Sequence, residues 1–171
     1  MQGWTCYPQL MPGRVDMPTI AAAFHATDFA LPRVNIQPEG DVTLVTLPTY
    51  FEVDWPAQGY EPEEVDTLDP GRFLGLDIAV KPTLESVLYS FGDGTTFGPT
   101  TSLGGPYPAG DITKTYETSG AYDVRPDVVY KGWVSIDGSS WIDIPGEVDL
   151  TGEPTTLTVK TANNRLYTPA G

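Results

Sequence analysis

The sequence predicts an all-β domain of sandwich type, and three observations carry that reading. Short runs of β-branched and aromatic residues recur along the chain, each closed by Gly or Pro. The 18 Gly and 17 Pro of 171 residues are dispersed rather than periodic, which fits many short elements joined by many turns. Only one stretch has a helical period. The length suits one domain with a proper core, and 40% hydrophobic residues exclude disorder by composition.

In chain order, residues 1–15 are punctuated by Pro and Gly without a period and read as an irregular lead-in. Asp16 before Met17-Pro18 has the form of a helix N-cap with Pro in the first turn. Ile20, Ala21, Phe24 and Phe29 then give an apolar face that Pro32 ends, which predicts a short helix over 17–28. Val34-Asn35-Ile36-Gln37 alternates up to a Pro38-Glu39-Gly40 turn. Residues 42–47 alternate too, and extended chain continues from Thr49 to Val53 with Tyr50 and Phe51 on opposite faces. Residues 54–71 are a polar interval holding Asp54, Glu61, Glu63, Glu64, Asp66 and Asp69.

Leu74, Leu76, Ile78 and Val80 share one face of a predicted strand that Pro82 breaks, and a new strand runs from Leu84 to Phe91. From Tyr122 an extended stretch reaches Ile136, in which Pro126 argues for an edge or a bulge. Asp137-Gly138 makes a hairpin turn between Val134-Ser135-Ile136 and Trp141-Ile142-Asp143-Ile144. Pro145-Gly146 starts a turn, Gly152-Glu153-Pro154 makes another, and residues 155–160 form a β-branched last strand before a tail. No fixed period recurs, so the chain is one domain and not an array.

The most informative stretch is residues 87–134. Val87-Leu88-Tyr89-Ser90-Phe91 is an apolar and aromatic run that stops at Gly92-Asp93-Gly94-Thr95. Asp-Gly signals a tight turn, because Gly tolerates positive φ and Asp bonds its own downstream backbone. A loop rich in Gly and Pro covers residues 97–110. Lys114-Thr115-Tyr116 then ends a strand, Ser119-Gly120 turns, and Tyr122 and Val124 share a face of the next strand.

These residues resemble the signature of the PKD domain (polycystic kidney disease repeat). That signature has an aromatic, a polar residue and Phe-Gly-Asp-Gly. It continues with Thr-Tyr, three residues, Gly, one residue, Tyr, one residue, Val. Tyr89, Phe91, Gly92, Asp93 and Gly94 match the first part; Thr115, Tyr116, Gly120, Tyr122 and Val124 match the second. Tyr89 stands where the family usually has Trp, and Lys114 where it often has His. The two parts lie farther apart than is usual, which places an insertion near 97–110. The resemblance implies an immunoglobulin-like β-sandwich over 33–171, preceded by the lead-in and short helix of 1–32. It also implies an extracellular, non-catalytic module. Leu44-Val45-Thr46-Leu47-Pro48-Thr49 is similar to a segment that precedes the PKD core in some actinobacterial surface proteins. Their genes often sit beside tight-adherence pilus or secretion genes, which implies an envelope role.

Nine basic against 23 acidic residues give a net charge of −14, so a nucleic-acid partner is not expected. The acidity reads as solubility, with cation binding as the sharper alternative. Cys6 is the only cysteine, so no internal disulfide is possible. No apolar run is long enough to span a bilayer, and Met1-Gln2-Gly3-Trp4 lacks the features of a leader. With the resemblance, the expectation is a mature or truncated form found outside the cell or in its envelope.

No catalytic constellation stands out, and no cofactor is expected. His25 is the only histidine, so no Ser-His site can be assembled, and Cys6 has no nearby base. Asp93 reads as a turn carboxylate, with a calcium ligand as the alternative. Tyr89, Tyr116 and Tyr122 read as core residues, one hydroxyl pinning a corner; sugar-binding aromatics are the alternative. Trp133 and Trp141 bracket the Asp137-Gly138 turn and Trp55 lies in a loop; exposed together, they would make a carbohydrate or partner surface. The expected function is a non-enzymatic module for protein–protein interaction or assembly, acting through sheet faces or edges. Its rival is a carbohydrate-binding accessory module of a secreted polysaccharide-degrading enzyme. A long exposed edge strand favours the first and coplanar exposed aromatics the second.

Overall fold

A computed structural model describes residues 15–163; the rest of the lead-in, with Cys6, and residues 164–171 lie outside the described residues. Helix α1 (Met17–His25) begins as the sequence predicts. Asp16 Oδ1 accepts from the Thr19 N–H at 3.0 Å, and Pro18 sits in the first turn, where it costs no hydrogen bond. The helix ends at His25, short of the predicted residue 28.

Ten strands follow: β1 (Arg33–Gln37), β2 (Val42–Leu44), β3 (Pro48–Asp54), β4 (Asp66–Leu68), β5 (Ile78–Ser90), β6 (Thr96–Thr100), β7 (Thr113–Thr115), β8 (Gly120–Ile136), β9 (Ile142–Thr151) and β10 (Thr155–Lys160). They form two sheets. The smaller has the order β1-β3-β7. The larger runs β2-β10-β8-β5-β4, with β6 also on β5 and β9 also on β8. The long antiparallel pair β5–β8, from Ile78↔Ile136 to Ser90↔Arg125, is its spine.

One face of the larger sheet is buried by Val80, Val87 and Tyr89 of β5 and by Val124, Val128, Tyr130 and Val134 of β8. Against it pack Ile36 of β1, Phe51 of β3, and Ile20 and Phe24 of α1, in one continuous core. The second layer is thus shared. The small sheet faces β10 and β8, while α1 lies against β9. The architecture is all-β and sandwich-like, with the helix completing the second layer beside the small sheet. Among the described residues no helix is long and apolar enough to cross a membrane.

Several predicted breaks are absent. Pro82 does not end a strand; it lies inside β5, opposite Gly132. Its carbonyl accepts from the Glu63 N–H at 2.7 Å, so its missing N–H faces the gap between β4 and β6 and costs no ladder bond. Pro126 sits at the equivalent gap on β8, where the neighbour changes from β10 to β9. Pro145-Gly146 does not turn the chain either. The two residues bulge out of β9 between Ile144, opposite Gly132, and Glu147, opposite Lys131. A bulge at Glu85 resets the alternation of β5, so that Ile78 and Val80 face inward before it and Val87 and Tyr89 after it.

Other differences are local. The strand predicted over 73–80 begins only at Ile78; Leu74 has φ +59° and points to solvent, while Phe73 is buried. The polar interval contains the short β4. Residues 42–47 are not one strand: the chain leaves the larger sheet after Leu44 and enters the smaller at Pro48. Val45 N–H bonds the Lys160 carbonyl and Thr46 N–H the Tyr116 carbonyl, both at 2.9 Å. Buried Thr49 Oγ1 donates to buried Thr43 Oγ1 at 3.1 Å across this crossing, so neither hydroxyl is orphaned.

The helix docks where β8 has no side chain. A Cβ at Gly132 would lie 2.7 Å from the Phe24 ring. Gly132→Val is therefore expected to cost about 1–3 kcal/mol through overpacking, and Phe24→Ala about 3–5 kcal/mol through the cavity it leaves. Denaturant melts of both variants check this, and an unchanged midpoint for either would contradict the docking.

Candidate functional site

Two constellations are candidates. The first is the turn after β5, where the structure gathers the PKD-like residues. Phe91 is buried, its ring centroid 5.3 Å from that of Phe51 on the facing sheet. Gly92 and Gly94 have φ of +78° and +87°, a region that favours glycine, and a Cβ at Gly92 would lie 2.7 Å from the Asp123 nitrogen. Asp93 Oδ1 accepts from the Thr95 N–H at 2.9 Å and from Thr95 Oγ1 at 2.6 Å. Its Oδ2 lies 2.8 Å from Lys114 Nζ, which also donates to Thr95 Oγ1 at 2.9 Å and stands over the Phe91 ring.

The tyrosines complete the cluster. Tyr116 Oη donates to the Phe91 carbonyl at 2.9 Å, and Tyr89 Oη to the Ser102 carbonyl at 2.9 Å. Tyr122 stacks 4.6 Å from Tyr116 and donates to the Thr118 carbonyl at 2.8 Å, pinning the corner that leads through Gly120 into β8. Burial raises the Tyr89 and Tyr116 phenols, helped by Asp111 and Asp93 respectively. Partial burial pushes the Asp93 carboxyl up, but the hydrogen bonds from Lys114 and Thr95 outweigh it and hold the pKa at about 2. Both carboxylate oxygens are engaged with protein donors, so the arrangement clamps a chain reversal. Among the described residues no group of three or more His, Cys, Asp or Glu side chains is placed to hold a metal ion.

The other sequence candidates are dispersed. Trp55 Nε1 donates to Tyr130 Oη at 2.7 Å and Trp133 Nε1 to Thr83 Oγ1 at 3.1 Å; both rings are half-buried. Trp141 is exposed, with Lys81 Nζ 5.3 Å above it. His25 is exposed at the end of α1, edge-on to Phe24. In the acidic interval Asp54 pairs with Arg33 and Glu63 with Lys81, each at 3.3 Å, and Asp69 caps a short turn.

The second constellation comes from the Gly- and Pro-rich loop. Its first residues are strand β6, paired with β5. The chain then crosses to the free edge of β3. There the Val53 N–H bonds the Leu103 carbonyl at 2.8 Å, the Gly105 N–H bonds the Phe51 carbonyl at 3.1 Å, and β7 continues the pairing. Between Gly105 and Ile112 the chain leaves that edge as an excursion. Ser102 Oγ closes its neck on Asp111 Oδ1 at 2.7 Å, and Gly110 N–H bonds the Pro106 carbonyl at 2.8 Å.

The excursion carries Tyr107 over Tyr50. The two rings meet edge to face at 5.4 Å and 86°. With Pro38, Leu47 and Pro48 they line an apolar groove of about 460 Å³. Tyr107 is 69% exposed and Leu47 45%, unusual for such residues together. The polar members are Gln37, whose Oε1 accepts from the Tyr107 N–H at 2.9 Å, and Glu39. None of these residues belongs to a site expected from the sequence. The available signal was Pro106-Tyr107-Pro108, an aromatic between prolines in a Gly-rich loop.

Comparison of the chain with protein-family models, with curated proteins and with solved structures returns no match.

The clamp yields a stability prediction. Phe91→Ala should cost about 3–5 kcal/mol, and Gly94→Val should destabilise more than Gly94→Asn because a β-branched residue is strained at positive φ. Asp93 has a folded pKa of about 2 against an ordinary 3.8, so its contribution is complete above the higher value and is lost as pH falls toward the lower. Asp93→Asn should lower stability by about 1 kcal/mol at neutral pH, allowing for solvent screening, and by almost nothing near pH 2. Melts of both proteins across that range measure the gap, and a gap independent of pH would refute the clamp.

Proposed function

We propose that the chain is a non-catalytic, immunoglobulin-like module of PKD type from an extracellular or envelope-associated protein, and that it mediates protein–protein interaction or assembly. The observation that carries this reading is the apolar groove built by the excursion over β3. Its exposed Tyr107, Leu47 and Pro38 form a contiguous patch of the kind that marks a partner surface. Among the described residues no strand pairs with the outer edge of β9, which is ten residues long and makes a second surface for a partner. The PKD-like residues around the Phe91 turn, tied together by the hydrogen bonds of Asp93, Tyr116 and Tyr122, support the family reading. The envelope location rests on the same resemblance.

The rival is a carbohydrate-binding accessory module. That reading calls for coplanar exposed aromatics, whereas Tyr50 and Tyr107 stand perpendicular at 86°. The tryptophans spend their indole N–H groups inside the protein at Trp55 and Trp133. Both features favour a protein partner.

The test places photoreactive benzoylphenylalanine at Leu47 beside the groove, at Asp143 on β9 and at Lys131 on the outer sheet face, in cells that produce the protein. A defined protein adduct from the groove or the β9 position is the expected outcome. No adduct from any position, together with retention on insoluble polysaccharide, would hand the case to the rival.

A further inference from the structure

The Tyr50–Tyr107 groove has a definite chemistry, and we infer that it receives an extended, proline-rich segment of a partner protein carrying a cationic side chain. The inference deepens the interaction-module reading and rests on it. Three features of the groove converge on this occupant.

The first is shape. Two tyrosine rings at right angles, walled by Pro38, Leu47 and Pro48, make a surface notch. Pyrrolidine rings pack flat against aromatic faces, and a polyproline II segment is already extended before binding, so little conformational entropy is lost. The volume of about 460 Å³ falls within the usual range of small binding sites, about 300–1,000 Å³, so a few residues of such a segment are accommodated.

The second is hydrogen bonding. Gln37 Oε1 is occupied by the Tyr107 N–H at 2.9 Å. That bond orients the carboxamide and leaves its NH2 as the donor available to a ligand. A proline-rich backbone has carbonyls without internal partners and few N–H groups of its own, so it needs donors from its receptor.

The third is charge. Among the described residues Glu39 is the only charged side chain lining the groove, and it forms no ion pair. The net charge of −14 adds a long-range attraction for a basic partner. A neutral or acidic proline-rich segment would forgo both terms. A free oligosaccharide would gain nothing from Glu39 as an ionic partner.

The test titrates isotopically labelled protein with three acetylated, amidated peptides and follows backbone amide shifts. One peptide has six prolines followed by arginine. The second has glutamine in place of the arginine. The third keeps the arginine but replaces the prolines by glycine and serine. Cellohexaose is the sugar control. Saturable shifts confined to residues 37–50 and 106–110 are expected with the first peptide, weaker ones with the second and none with the third.

Tyr107→Ala should weaken binding of the first peptide roughly tenfold or more, Tyr107→Phe should restore it, and neither should move the melting midpoint, since the ring is largely exposed. Glu39→Gln should weaken the arginine peptide about threefold to tenfold and leave the glutamine peptide unchanged. Equal binding of the third peptide, saturation by cellohexaose instead, shifts elsewhere, or no saturation at millimolar peptide would each overturn the inference. If the peptides fail while β9 still gives a protein adduct on cells, the interaction-module reading stands with a different surface. If both fail, the two readings fall together.

Discussion

The whole fold hangs on the pairing of β5 with β8. Among the described residues no other pair of strands is as long, and every remaining strand of the larger sheet except β2, which pairs with β10, attaches to one of the two. β4 and β6 each cover one end of β5; β10 and β9 do the same for β8. Long central strands with two short neighbours on an outer edge necessarily leave a gap where one neighbour stops and the other starts. Both interior prolines of these strands, Pro82 and Pro126, sit at such gaps. A residue with no N–H is tolerated there because the ladder asks for no donor on that side. The same gap lets Glu63 and its loop tie back to β5.

That dependence explains what could and could not be read from the residues in order. The N-cap at Asp16, the Asp137-Gly138 hairpin and the buried, glycine-flanked Phe91 turn are local chemistry, legible because each is set by a few neighbouring residues. The continuation of β5 through Pro82 and of β9 past Pro145-Gly146 was not legible. In each case a distant strand decides whether a proline interrupts anything. The sheet change at residues 45–47 was hidden for the same reason, since Lys160 and Tyr116 hold it. Tyr50 and Tyr107 lie 57 positions apart in sequence and meet only through the path of the excursion, so no local pattern brings the two rings together.

The two constellations divide the chemistry of the chain. At the Phe91 turn each polar group has an internal partner: carboxylate to ammonium, hydroxyl to carbonyl, ammonium to hydroxyl. Such closure removes reactivity and fixes geometry. At the groove the balance is reversed. Apolar rings face water, one amide has a spare donor, and one carboxylate stands without an ionic partner among the described residues. Lys114 connects the two regions. It pairs with Thr49 across the small sheet, one residue from Tyr50, while its ammonium anchors Asp93. The rigid corner thereby holds the strand that carries one wall of the groove.

The excursion after Gly105 has a further consequence. Its neck is gripped on both sides: Gly105 and Ile112 bond the Phe51 backbone, Ser102 holds Asp111, and Gly105 and Gly110 approach so closely that a side chain at Gly110 would collide with the Gly105 carbonyl. None of those contacts involves the side chains of residues 106–109. The tip is therefore a detachable cassette on a fixed clasp. Substitutions within it can reshape the Tyr107 wall of the groove without asking the two sheets to pack anew, so that surface can drift while the framework stays constant. Variation at these four residues is thereby uncoupled from the packing that holds the fold.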